Sequence, residues 1–256
     1  MDLVTAALLT KTGHKIADKA VDAVVDLIKS KIKGAVLERW SAHRAERFLK
    51  AFADEVMREG DVRTQSASLN DMLRKISDGE EESAAIFDAY RRVALCASRD
   101  IGPMIIGIRA AVLLKKGGEA SASDEQLFMA AESLNDRDFR DFVRWAEDPK
   151  NRKGGSRPPL PEHPLIAAAT VAARVDSAAT RGVFSKADVA INLYSDVGPF
   201  ALKLAQVGLL TQLSVSRGEP RHLSGVDHCL IGGAGVLSLL ALAKRAIDAK
   251  DSAPSH

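Results

Sequence analysis

The chain has two cysteines, Cys96 and Cys229, too far apart and too few for a disulfide framework. Both sit in apolar runs, where a free thiol acts as a small buried hydrophobe. Aromatic residues are scarce at 5%. Neither sign of charge dominates, with 36 Lys+Arg against 34 Asp+Glu and a net charge of +2. A dedicated nucleic-acid binder usually carries a concentrated basic excess, and this composition offers none. No long apolar run is present either. The longest uncharged stretch, Cys229 to Ala243, has 15 residues and includes three glycines, whereas a spanning helix needs about 20. The chain opens without a secretory pattern: Asp2 stands where a positive region belongs, and the apolar run from Leu3 to Leu9 is short. The expected address is the cytoplasm, most simply of a bacterium. There are no internal repeats.

What is there suits a folded protein. Charged residues make up 27% and hydrophobic residues 46% of 256 residues, which excludes wholesale disorder. This length makes one large domain or two small ones, and needs no disulfide or metal staple. The stretch from Asp148 to Pro164 holds five of the nine prolines. Proline fixes φ and removes a donor, so this stretch reads as a linker. The expected organisation is a helical bundle at 1–147, a Pro/Gly-rich linker at 148–162 and a module at 163–256.

The N-terminal part reads as all helix. In 14–40, Val21, Val24, Val25, Ile28 and Ile32 recur at spacings of three and four, giving one apolar stripe. Further helices are predicted at about 43–58, 65–77 and 80–98, the last opening on Glu80, Glu81 and Glu82 at the positive end of its dipole. Pro103 occupies the first turn of a helix that ends at Gly117-Gly118. Ser123 and Gln126 form a capping box for the next helix, and Asp136 caps one carrying Phe139, Phe142 and Trp145.

The C-terminal part predicts a helix at about 164–177, a short helix capped by Ser185 with Asp188, and a helix from Pro199 to Gly208. Two short strands and a last helix at about 235–249 follow. Helices, then a β-hairpin, then a helix is the order of a winged helix. The fold class expected is therefore all-α: an N-terminal helical bundle plus a C-terminal winged-helix-like module with a small β-hairpin.

Several constellations hold residue types that can carry chemistry. Ser224, Asp227, His228 and Cys229 cluster near His222, but triads are recognised by spatial geometry, and two histidines alone do not hold zinc. The glycines at 232–235 precede a helix without the pattern of a phosphate loop, and read as a bend. The acids at 80–82, and Asp136, Asp138 and Asp141, fall at helix starts, where capping explains them. The expectation is thus no catalytic residue, no metal site and no cofactor.

Three interaction surfaces remain. Arg91, Arg92, Arg99 and Asp100 lead into the apolar segment Ile-Gly-Pro-Met-Ile-Ile-Gly-Ile, and with Ile28 they are the expected contacts for a protein partner or self-association. If the winged helix reads DNA, its third helix offers Lys203 and Gln206, while Arg217 and Arg221 would touch phosphate. The amphipathic segment 14–40, ending at Trp40, would serve a peripheral membrane protein.

Three segments carry a family likeness: Arg-Arg-Val-Ala-Leu-Cys-Ala-Ser at 91–98, Leu-Asn-Asp-Arg-Asp-Phe at 134–139, and Leu-Ala-Gln-Val-Gly-Leu-Leu at 204–210. With the order of parts, these resemble the abortive-infection alpha family of bacterial phage defence, over about half of the chain. Ala89-Tyr90-Arg91 stands where that family has a tryptophan-containing helix, and Leu-Ile-Gly-Gly-Ala-Gly at 230–235 departs from its Leu-Thr-x-x-Gly. The resemblance implies a host-protective cytoplasmic protein that acts through partners, and it carries over no catalytic residue. The function expected is a non-enzymatic interaction protein of phage defence or stress response. A DNA-binding regulator and a peripheral membrane protein are the alternatives.

Overall fold

The computed structural model describes residues 42–58, 80–117, 119–148, 169–171, 193–216, 226–232 and 234–252. Among these the chain is mostly helical, with α1 Ala42–Met57, α2 Glu80–Leu95, α3 Ile101–Lys115, α4 Ala122–Ser133, α5 Asp136–Glu147, α6 Pro199–Gln206 and α7 Ala234–Asp251. A π-helical turn at Leu193–Val197 and three strands, β1 Ala169–Val171, β2 Leu210–Ser216 and β3 Val226–Gly232, complete the described elements. The chain forms two compact units, one of Met1–Asp136 with Ala246–His256 and one of Arg137–Arg245. The segments 14–40 and 65–77, and the linker at 148–162 apart from Asp148, lie outside the described residues.

The first unit is organised on α3. Its sequence is apolar on every side, and only Arg109, Val112 and Lys115 escape burial. A helix apolar all round must be covered all round. α1 supplies Phe48, Leu49, Phe52 and Val56 at helical spacing, and α2 supplies Ile86, Tyr90 and Val93. Two glycines let the backbones close in. A Cβ at Gly107 would stand 2.3 Å from the Phe48 carbonyl oxygen of α1, and one at Gly102 would stand 2.5 Å from the Ala131 carbonyl oxygen of α4. Phe48 stacks on Phe52 and meets Tyr90 edge-on, with centroids 6.2 and 6.1 Å apart.

Two helix starts differ from the sequence expectation. The capping box of α4 uses Ser121 and Asp124, two residues before the expected Ser123 and Gln126. Asp124 accepts from the Ser121 backbone and hydroxyl, at 2.9 and 2.7 Å, and also pairs with Arg109 of α3. The ion pair with Arg109 fixes the Asp124 carboxylate, so the box closes on Ser121 and the helix starts at Ala122. Asp136, expected to cap its own helix, is instead the first residue of α5 and serves α3. It accepts from Ser98 Oγ at 2.7 Å and from the backbone N–H groups of Arg99, Asp100 and Ile101. The orphan donors at a helix start need an acceptor, and this one comes from 35 residues downstream.

In the second unit α5 buries Phe139, Phe142 and Ala146. Phe200 of α6 lies 6.0 Å from Phe142 and 5.7 Å from Trp145 between centroids. α6 begins at Pro199 and stops at Gly208 as the sequence predicts. Gly208 has φ +75°, and the Leu209 and Gly208 N–H groups bond back to Leu204 and Ala205. β2 and β3 form an antiparallel hairpin with Leu210 opposite Gly232 and Ser216 opposite Val226. The helix predicted at 164–177 is corrected where it is described: residues 169–171 are β1, antiparallel to β3 with Ala169 opposite Leu230. Short apolar runs carry no period that separates helix from strand, and here the free edge of β3 decided. The sheet order is β1-β3-β2. The bend expected at 232–235 sits where β3 ends and α7 begins.

Candidate functional site

Four of the residues singled out in the sequence, Arg91, Arg92, Arg99 and Asp100, fall at or beside the turn between α2 and α3, at 96–100. Arg91 and Arg92 are neighbours in sequence but point differently, because successive helical residues are 100° apart. Arg92 lies between α2 and α4. It donates to Asp88 at 2.8 Å, Glu125 at 2.7 Å and Glu132 at 2.9 Å, and its guanidinium stands 5.1 Å from the centroid of Phe128. Burial works against its charge, but Asp88, Glu125 and Glu132 outweigh it and hold the Arg92 pKa above the ordinary value. Arg91 faces outward. Phe87 and Leu95, one turn to either side of it, are 50% and 65% exposed. The outer face of α2 is thus an apolar–cationic–apolar stripe.

Asp100 is the hub of the turn. It stands at the N-cap position of α3 but caps nothing with its side chain. Asp136 and Ser98 serve those donors, the latter accepting from Gly102 N–H at 2.8 Å. The freed Asp100 carboxylate accepts from His43 Nε2 at 2.7 Å, Arg47 Nε at 3.0 Å and Lys250 Nζ at 2.6 Å. Burial pushes its pKa up, but the hydrogen bonds from Lys250 and His43 and the charges of Lys250 and Arg47 bring it down to about 2. Lys250 belongs to the part of α7 that completes the first unit. Sequence reasoning missed His43, Arg47 and Lys250, because no spacing links residues 43, 47, 100 and 250. Arg99 is exposed, with its backbone N–H on Asp136.

A His–Asp pair invites a search for a nucleophile. Ser98 Oγ is buried and engaged by Asp136 and Gly102. Burial pushes the Cys96 thiol up to about 12, with Glu132 and Asp136 adding to it, so it stays protonated at neutral pH. Asp136 itself is held below the usual carboxylate range: burial opposes this, but hydrogen bonds from the Ile101 backbone, Ser98 and the Arg99 backbone prevail. Among the described residues no group of three or more His, Cys, Asp or Glu is placed to hold a metal ion.

In the second unit Lys203 is held by Asp138 at 2.6 Å, and Gln206 is exposed. Asp227, His228 and Cys229 lie on β3 opposite Val215, Ser214 and Leu213. Ile28, Arg217 and Arg221 lie outside the described residues, as do His222 and Ser224. Among the described residues no helix is long and apolar enough to cross a membrane. No protein-family model matches the chain, and no curated protein or solved structure matches it.

Proposed function

We propose that the chain is a non-enzymatic cytoplasmic interaction protein of bacterial phage defence or stress response, docking a partner through the outer face of α2. The observation that carries this is the stripe of Phe87, Arg91 and Leu95, two large apolar side chains exposed on either side of an exposed guanidinium. The chemistry complementary to it is an amphipathic helix whose apolar residues flank a carboxylate, since Arg pairs with a carboxylate in two-pronged fashion. Arg92 and Asp100, the other charged residues of the turn, are engaged within the unit and support the docking face by holding α2 against α4 and α3 against α1 and α7.

The first unit is read as a helical bundle around α3. The second is read as a winged-helix-like module: α6, the β2–β3 hairpin and α7 follow in that order, and β1 joins the hairpin at β3. This module serves protein contact in the present reading. The ion pair of Lys203 with Asp138 takes from α6 the one cation it offers among the described residues, and so weighs against groove reading.

The test is the efficiency of plaquing on bacteria expressing the protein, across a diverse phage panel at low and high multiplicity. Protection at low multiplicity with death of the culture at high multiplicity is the expected result. Phe87→Ser with Leu95→Ser, and separately Arg91→Glu, are expected to abolish protection while the circular dichroism melt stays unchanged. No protection against any phage overturns the defence reading. Protection that survives both surface variants overturns the docking face.

A further inference from the structure

Beside the outer face of α2, and independent of it, a cleft of about 120 Å³ opens between α2, α3 and α4. Its floor is apolar, made by Ala89, Ala110, Leu113, Leu114 and Phe128. Two carboxylates, Asp88 and Glu125, stand in its wall. Each gives one oxygen to Arg92, and Glu132 gives a third. One guanidinium against three carboxylates leaves an excess of two negative charges. Arg92 already divides three of its donors among these carboxylates and lies against the Phe128 ring. The remaining oxygens, Asp88 Oδ1 and Glu125 Oε1, accept from no protein donor among the described residues. Both side chains are open to solvent, at 54% and 44% exposure.

The geometry points to a binding site for a primary alkylammonium with a short aliphatic chain. The apolar floor suits a short aliphatic chain such as the four-carbon stem of a lysine. The stem lies on the alanine and leucine floor, and the ammonium head donates to Asp88 and Glu125 at the mouth. A neutral head group leaves the excess charge uncompensated. The same chemistry is offered by a lysine side chain of a partner protein and by a free aliphatic amine.

The test is a titration of the full-length chain with n-butylamine, followed by the methyl resonances of Ala89, Ala110 and Leu113, with n-butanol as the neutral counterpart. Saturable shifts with a millimolar Kd are expected for butylamine, with butanol about tenfold weaker. Asp88→Asn combined with Glu125→Gln should weaken butylamine about tenfold and leave butanol unchanged, while Arg92 keeps Glu132 and the fold. Ala85→Leu, at the wall of the cleft, should abolish both. Competition by a lysine-containing peptide, lost when the lysine is acetylated, assigns the site to a partner's side chain; butylamine binding without peptide competition assigns it to a free amine. Equal affinity for butanol and butylamine overturns the proposal, as does no saturable shift or an unchanged butylamine Kd in the double variant.

Discussion

Asp100 and Asp136 meet at the α2–α3 turn and do opposite things there. Asp136 satisfies backbone donors of a helix to which it does not belong, and this leaves Asp100 free to gather His43, Arg47 and Lys250. The sign of the resulting pH dependence follows from linkage. The Asp100 pKa falls from 3.8 to about 2 on folding. Its contribution is therefore complete above about pH 4 and is lost as pH drops toward 2. Asp100→Asn is expected to lower stability by about 2 kcal/mol at neutral pH and to flatten the acid limb of a stability–pH curve measured by urea denaturation. Asp136→Ala removes the acceptor of Ser98 Oγ and of three backbone N–H groups. The expected loss is about 3 kcal/mol, read as a lower urea midpoint with unchanged slope. Neither role could be read from the sequence. A carboxylate at a helix start predicts a local cap, and only the tertiary placement of Asp136 beside the α2–α3 turn redirects it.

At the scale of elements, most of what formed was written in local chemistry. The acids at 80–82 open α2, Pro199 opens α6, and Gly208 with positive φ closes it. The hairpin followed from the period-two alternation of Thr-Gln-Leu-Ser-Val-Ser at 211–216 and the turn residues Arg-Gly-Glu-Pro at 217–220. The burial of α3 on all sides was implicit in its composition, but the reason for its two glycines was not. Gly107 exists because α1 passes close enough that a Cβ would meet the Phe48 carbonyl. Backbone cannot move aside as a side chain can, so Gly107→Ala is expected to destabilise by about 2 kcal/mol or more, despite alanine's better helix propensity. A thermal melt decides this. Equal or higher stability of the alanine variant would mean that α1 shifts freely on α3. β1 marks the opposite case: an apolar Ala-Thr-Val run was drawn into strand by the available edge of β3, a partner in space that no local pattern announces.

At the scale of the whole molecule, the charged residues divide into those spent on the fold and those left for a partner. Arg92, Arg109, Lys203 and Lys250 are spent. Arg91 is left, between Phe87 and Leu95. On this basis a mobility-shift assay with duplex DNA is expected to stay blank at low salt, and Lys203→Ala is expected to leave that result unchanged while lowering stability by about 1 kcal/mol or more, because buried Asp138 loses a cationic partner. A shift that weakens steeply with salt would return the DNA-binding regulator to first place.

The sequence by itself determined the helical class, the hairpin and the positions of most helix ends, because each of these depends on residues within one or two turns of each other. The tertiary structure alone decided which arginine faces solvent, which aspartate caps which helix, and that residues 43, 47, 100 and 250 meet. Those outcomes depend on the angle at which one helix crosses another and on which backbone donors are left over there. No property of a single segment carries that information.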